Sequence, residues 1–298
     1  MNNEDFDAVV ARVARDRERG ASALACAGLR ALADAARSAE ATATSDLLRL
    51  LDGRAETLAV ARPSMTPLYV VSRRWQRLLA GLGGLSLDAA ARAAVAAADT
   101  LIADSEAAVG AAAEHAAAHI GAGTTVFTHS LSATVLATLQ LLREEGETRV
   151  IVTEGRPLNE GHLVARTLAE AGMDTVLVTD AEAGLFVGKA DAVLVGADTI
   201  LPDGTLINKA GTFLVALAAR ELDVPFYVAA ESFKRRPPEA GVPPLEEMAP
   251  DELGAPTLPH LKVRNVYFDI TPADLISAWI DETGTVPNGT AREADGGA

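Results

Sequence analysis

The chain has 298 residues, 49% hydrophobic and 22% charged with only 4% aromatic, a globular composition that excludes fibrous, disordered and membrane classes. Its formal net charge is −15, with 41 acidic against 26 basic residues spread along the chain, which argues against direct phosphate-backbone binding to nucleic acid. A single cysteine, Cys26, excludes a disulfide framework and a multi-cysteine metal site.

Only four of the basic residues are lysines: Lys189, Lys209, Lys234 and Lys262. An acidic, lysine-poor surface suits a high-salt cytoplasm, where fixed negative charge preserves solubility; coding bias gives the same composition. The N-terminal stretch is charged and amphipathic, without a signal-peptide core, and no run approaches the roughly 18 apolar residues of a membrane span. A cytoplasmic location without membrane association is expected.

In chain order, the pattern up to about residue 120 predicts helix after helix. Phe6, Val9, Val10 and Val13 recur at helical spacing, and residues 21–36, 44–51 and 87–120 follow as further helices. Pro63 and Pro67 mark a loop or a helix start. From Thr124 the pattern changes to short β-branched runs, TTVFTHS, RVIVTEG, DTVLVTD, ADAVLVGAD and VPFYVAAE, which read as buried strands. Residues 133–143, 161–171 and 212–222 read as helices between them. Strict alternation implies right-handed crossovers and a parallel sheet covered on both faces. A late strand at 264–268 and a short helix at 274–279 complete the predicted fold, and the Pro-rich segment 235–258 reads as an irregular surface loop. The expected organisation is a helical N-terminal domain at 1–120, a Rossmann-like α/β domain at 121–284 and a disordered polar tail at 285–298.

Ligands of an open parallel sheet bind beyond the carboxyl ends of its strands. There the sequence places Thr128, His129, Ser130 and Ser132; Thr153, Glu154 and Arg156; Gly196 and Asp198; and Glu231, Ser232 and Lys234, with Asn208, Lys209 and Gly211 entering the helix at 212. Hydroxyls, acids, an arginine and two lysines on one edge suit a small anionic molecule. Each has a structural alternative: Ser130 and Ser132 as helix caps, Asp198 as a turn cap, Arg156 in a salt bridge, and His129 as a hydrogen bonder rather than a base. No GxGxxG follows the first strand, no GxxxxGK[ST] occurs, and the five histidines are poorly grouped for a metal. Neither a metal nor an organic cofactor is expected.

The segments THS at 128–130, TEGRPLNEG at 153–161, VGADTI at 195–200, DGTLINKAGTF at 203–213 and PFYVAAESFK at 225–234, with RGASA at 19–23 and ARPS at 61–64, resemble the alpha, beta and delta subunits of eukaryotic translation initiation factor 2B. That superfamily also holds ribose-1,5-bisphosphate and methylthioribose-1-phosphate isomerases. The resemblance runs in order from about residue 10 to about 280. It implies a helical domain on a Rossmann-like domain with a sugar-phosphate pocket between them. By position, it assigns Arg19, Gly20, Ala21, Ser22 and Arg62 to one phosphate and Arg156, Asn208, Lys209 and Lys234 to the rest of the ligand. Asp198 corresponds to the isomerases' catalytic acid.

The isomerases carry a cysteine after the Thr-His pair, where this chain has Ser130. A thiol of ordinary pKa near 8.5 can supply a base at neutral pH, whereas a serine hydroxyl needs an adjacent activating base. The resemblance together with Ser130 therefore implies, first, a non-catalytic regulatory subunit of the factor 2B type. Such a subunit keeps a pocket for a phosphorylated sugar or nucleotide, has initiation factor 2 as a possible partner, and forms a homodimer or higher homo-oligomer. The alternative is an aldose–ketose isomerase of the ribose-1,5-bisphosphate type, with Asp198 and Ser130 at its catalytic positions and His129 or another group as the base.

Overall fold

Alanine and leucine at helical spacing build the first part of the chain. The computed structural model describes residues 3–288, and it groups Met1–Ala107 with Phe233–Pro244 as one unit and Ala108–Ser232 with Leu245–Ala298 as another. In the first unit, α1 (Asn3–Arg15), α2 (Ala21–Arg37), α3 (Thr44–Ala59) and α4 (Thr66–Leu79) precede α5 (Leu87–Ile120), whose residues from Ala108 on belong to the second unit. Pro67 stands in the first turn of α4, where its missing N–H costs no helical hydrogen bond. Leu24, Leu29 and Leu32 of α2, Leu51 and Leu58 of α3, and Leu68 and Trp75 of α4 are fully buried. Each such side chain contributes about 1.5–3 kcal/mol relative to exposure. Ala90, Ala94 and Ala98 on one face of α5 are equally buried, and the indole of Trp75 donates to the Ala94 carbonyl at 2.9 Å. α2 and α3 approach closely at Gly28, where a Cβ would stand 2.7 Å from a Leu58 methyl.

The second unit alternates strand and helix as the β-branched runs predict. Its elements are β1 (Thr125–Thr128), α6 (Ala133–Glu145), β2 (Arg149–Thr153), α7 (Glu160–Glu170), β3 (Asp174–Val178), α8 (Ala183–Phe186), β4 (Ala192–Val195), β5 (Thr199–Ile200), β6 (Leu206–Lys209), α9 (Thr212–Glu221), β7 (Phe226–Ala229), β8 (Phe268–Thr271), β9 (Ala278–Asp281) and β10 (Gly284–Pro287). The main sheet has the order β10-β9-β7-β4-β1-β2-β3, with every pair parallel except β10 with β9. Successive strand residues face opposite layers. Val126, Val150, Val152 and Leu194 pack with Leu139 of α6 and Leu168 of α7, while Phe127, Ile151, Val193 and Val195 pack with Val215 and Ala216 of α9. The protein is thus α/β, with a helical N-terminal region and a C-terminal, mostly parallel sheet. Among the described residues no helix is long and apolar enough to cross a membrane.

Three local expectations are corrected. The late strand lies at Phe268–Thr271 rather than 264–268, because it pairs with β6 in a separate antiparallel sheet of order β5-β6-β8, with Phe268 opposite Lys209. Residues 274–279 are not a helix: a 3-10 turn at Ala273–Leu275 leads into β9, whose residues are all buried and run parallel to β7. Pairing and two-sided burial override a weak helical pattern in so short a segment. Residues 285–287, expected to open a disordered tail, form β10. Thr283 N–H donates to the Asp281 carboxylate at 2.9 Å, and Gly284 takes a φ of 123°, which turns the chain back onto β9. The rest of that tail, residues 289–298, lies outside the described residues.

Candidate active site

Strand order reverses at β1: β2 and β3 extend the sheet on one side, β4 and β7 on the other. Such a switch point opens a crevice at the carboxyl ends of the strands, where Thr128, His129 and Ser130 follow β1. His129 is 2% exposed. Its Nε2 lies 3.1 Å from the Ala210 carbonyl and its Nδ1 2.5 Å from the Thr153 hydroxyl. A carbonyl only accepts, so Nε2 carries the proton and Nδ1 accepts from Thr153. Burial holds the imidazole below its ordinary pKa, although Asp180, 3.7 Å away, pulls the other way. His129 is therefore neutral and committed on both nitrogens, the structural hydrogen bonder its sequence context suggests. Gly211, with φ 110°, is required beside it, since a Cβ there would stand 2.9 Å from the imidazole.

Ser130 has left-handed backbone, φ 67°, a conformation that costs a non-glycine residue about 1–3 kcal/mol. It does not cap a helix. Its hydroxyl donates to Glu160 Oε1 at 3.0 Å, and the Lys209 ammonium reaches the same oxygen at 2.7 Å. Lys209 also lies over the ring of Tyr267, 4.5 Å from its centroid. The Tyr267 hydroxyl in turn donates to Glu252 at 2.5 Å. Glu160 opens α7, and Gly161 brings that helix against the end of β2: its N–H donates to the Glu154 carbonyl at 3.0 Å, and a Cβ would stand 1.8 Å from the Thr153 carbonyl oxygen.

The neighbouring loop is fixed by its own polar contacts. The Asn208 side-chain amide donates to the Thr212 hydroxyl at 3.1 Å, which donates to the Lys209 carbonyl at 2.6 Å. The Asp269 carboxylate of β8 accepts from the N–H groups of Gly211 and Phe213 at 2.7 and 3.1 Å. Burial pushes its carboxyl up to about 6, against the opposing pull of those two donors. Asp198 is half-buried just past β4, and its N–H donates to the Ile207 carbonyl at 3.1 Å.

The other sequence-derived candidates divide. Ser132 is the N-cap of α6 and accepts from Val135 N–H at 3.3 Å; Gly196 lies so close to it that a Cβ would fall 2.4 Å from its hydroxyl oxygen. Arg156 is exposed, with its guanidinium on the Leu253 carbonyl at 3.3 Å and its N–H on Asp180 at 2.7 Å. In the first unit, Gly20 is the N-cap residue of α2 and makes no side-chain cap hydrogen bond, and Ala21 and Ser22 open the helix behind it. Arg19 pairs with Asp16 at 2.8 Å and Arg62, 3% exposed, donates to the Asp16 carbonyl at 3.0 Å. Lys234 is buried in a 3-10 turn, in the segment that groups with this unit. His115 bonds the Asp281 carbonyl at 2.8 Å and His119 packs edge-on against Tyr227, so the histidine pair of α5 is used in packing.

Sequence reasoning missed Glu160, Thr153 as a partner of His129, Tyr267 and Asp269. The first two stand in the TEGRPLNEG segment already singled out, but nothing in the linear pattern aims either of them at residues 129–130.

The family model described as the Initiation factor 2 subunit family matches residues 17–288. A ribose 1,5-bisphosphate isomerase of Archaeoglobus fulgidus is 42% identical over 170 residues, 55% of this chain and 54% of that protein; the chain thus matches about half the length of that relative. A methylthioribose-1-phosphate isomerase of Syntrophotalea carbinolica is 34% identical over 305 residues, covering 96% of this chain and 89% of its own. The crystal structure of a Pyrococcus horikoshii translation initiation factor eIF-2B superposes with a TM-score of 0.83 at 32% identity, covering 97% of this chain and 98% of that one. Proteins named as enzymes and proteins named as translation factors therefore share this architecture.

Proposed function

The chain belongs to the initiation factor 2 subunit family, and we propose that it is an aldose–ketose isomerase of a phosphorylated ribose, with ribose 1,5-bisphosphate the substrate to test first. One observation carries this over a non-catalytic role: Ser130, at the position of the isomerases' cysteine, donates its hydroxyl to the carboxylate of Glu160. A lone serine is too weak an acid to serve as a base, but a serine beside a carboxylate has a proton acceptor. The isomerase names of the A. fulgidus and S. carbinolica relatives agree with this reading.

The chemistry is redox-neutral within the substrate. A proton from Asp198 to the ring oxygen opens the C1–O bond while a base removes the C2 proton, giving a C1=C2 enol. Returning that proton to C1, with the C2 hydroxyl proton passing to Asp198, gives the 2-ketose and restores both groups. Lys209, Asn208 and Arg156 supply donors for the anionic substrate. In the first unit, Arg19 and Arg62 with the N-terminus of α2 at Gly20, Ala21 and Ser22 form an anion-binding set, and Lys234 adds a buried cation to that unit.

A second reading, a regulatory subunit of the factor 2B type that senses a phosphorylated sugar or nucleotide and contacts initiation factor 2, is favoured by the missing thiol and by the near full-length likeness to the Pyrococcus factor. Incubating purified protein with ribose 1,5-bisphosphate at high and low salt separates the two. Formation of ribulose 1,5-bisphosphate, lost by about 10²–10⁴-fold in Asp198→Asn, is expected. Calorimetric binding without turnover, with activity gained in Ser130→Cys, overturns the isomerase in favour of the regulatory subunit.

A further inference from the structure

We infer that Glu160 is the proton acceptor behind Ser130, so that the Ser130 hydroxyl relays the substrate's C2 proton to a carboxylate held by Lys209. This rests on the isomerase reading above and names the base that it needs.

The carboxylate that the Ser130 hydroxyl meets is that of Glu160, at 3.0 Å. His129 is neutral, with both ring nitrogens occupied. Asp180 accepts the N–H groups of Gly155 and Arg156 at 2.9 and 2.7 Å, and Asp269 accepts those of Gly211 and Phe213. Glu160 alone among them takes the serine hydroxyl. Its second oxygen, Oε2, is buried without a hydrogen-bond partner among the described residues, although buried carboxylate oxygens are ordinarily satisfied. Its side chain is 12% exposed and that of Lys209 10%, so water is largely displaced and the pair is fixed. The Gly161 approach to β2 sets where α7 starts and hence where Glu160 stands.

The step balances. As the C2–H bond breaks, its electron pair forms C1=C2, the proton passes to Ser130 Oγ, and the original Ser130 hydroxyl proton passes to Glu160 Oε1. The C1–O ring bond breaks at the same time and the ring oxygen takes the proton of Asp198. In the return, Glu160 gives its proton back to Ser130, which delivers its own to C1. Serine stays neutral throughout, which removes the objection that an unassisted hydroxyl cannot act at neutral pH.

The test uses the full chain and ribose 1,5-bisphosphate. Glu160→Gln keeps the size of the side chain and an acceptor for Ser130 but removes the base. It is expected to lower kcat by about 10²–10⁴-fold while KM moves only a few-fold, and to abolish the acid limb of the kcat–pH profile. Ser130→Ala is expected to cost a similar factor, and the Ser130→Ala/Glu160→Gln double variant to be no slower than the slower single variant, since two members of one relay act as a unit. An active parent with Glu160→Gln at full kcat and an unchanged pH profile overturns the relay and leaves the isomerase reading standing. A rise in KM with kcat kept identifies Glu160 as a partner that only positions Lys209 for binding, and also overturns it. A parent inactive on both ribose 1,5-bisphosphate and methylthioribose 1-phosphate overturns both.

Discussion

In the first unit Arg37 pairs with Asp34 and Arg49 with Asp46 at the surface, each three residues apart on one helix and each about half exposed or more. In the second unit Lys209 and Glu160 come from different elements and meet with about a tenth of either side chain exposed. Exposed pairs of the first kind contribute about 0.2–1 kcal/mol at most, because solvent screens them and long side chains lose entropy in holding them. A buried pair is different: removing one partner strands the other charge, at a cost of about 3–5 kcal/mol. The helical unit is thus expected to respond to changes of apolar volume, and the sheet unit to changes of polar partners.

The largest effect separating the two is expected in the helical core. Trp75 is fully buried and its indole is satisfied by Ala94, so Trp75→Ala should cost about 3–5 kcal/mol from the lost contacts and the cavity. A loss under about 1 kcal/mol in urea denaturation would show that the small-residue packing around α5 collapses to fill the space, and the contrast would fail.

Next comes a pH effect confined to the sheet unit. The Asp269 carboxyl is raised from 3.8 to about 6, so the folded state holds this proton more tightly than the unfolded chain does. Its contribution is fully present below about pH 3.8 and is lost as pH rises through about 6, a change of about 3 kcal/mol at 1.36 kcal/mol per pKa unit. Asp269→Asn, which keeps an acceptor for Gly211 and Phe213, should flatten stability across that window. Denaturation curves at pH 4, 5, 6 and 7 check this, and parallel pH dependence in parent and variant would break it.

The smallest effect marks the other pole. Arg37→Ala removes a surface pair with Asp34, whose members are 52% and 56% exposed, and a longer contact to the exposed Asp99 at 3.9 Å, and should change stability by less than about 1 kcal/mol, less still at high salt. A thermal shift as large as that of Trp75→Ala would show that the surface ion pairs of this acidic chain act as a network.

Much of the framework was legible in the linear pattern because periodicity reports burial. The helix over 87–120 and the strands around Val126, Val150, Val176, Val193 and Val228 all stand where the apolar spacing puts them. The errors fell where pairing decides: β9 carries a short apolar run that suits either element, and β10 exists only because β9 lies beside it. The candidate site was legible as a set of strand ends and in its departure at position 130, but its connections were not. That Ser132 caps α6 while Ser130 turns to Glu160 depends on the left-handed backbone at Ser130, which the sequence THSLS does not announce.

By itself, the sequence determined the fold class, the family and the serine that follows the Thr128-His129 pair, since each follows from residue type and spacing along one chain. Tertiary structure alone decided that Glu160 and Lys209 meet at the Ser130 hydroxyl, that His129 is neutral and spent on Thr153 and Ala210, and that burial raises the Asp269 carboxyl to about 6. The reason is physical: hydrogen bonding and desolvation depend on distances of a few ångströms between elements remote in sequence, and only packing sets those distances.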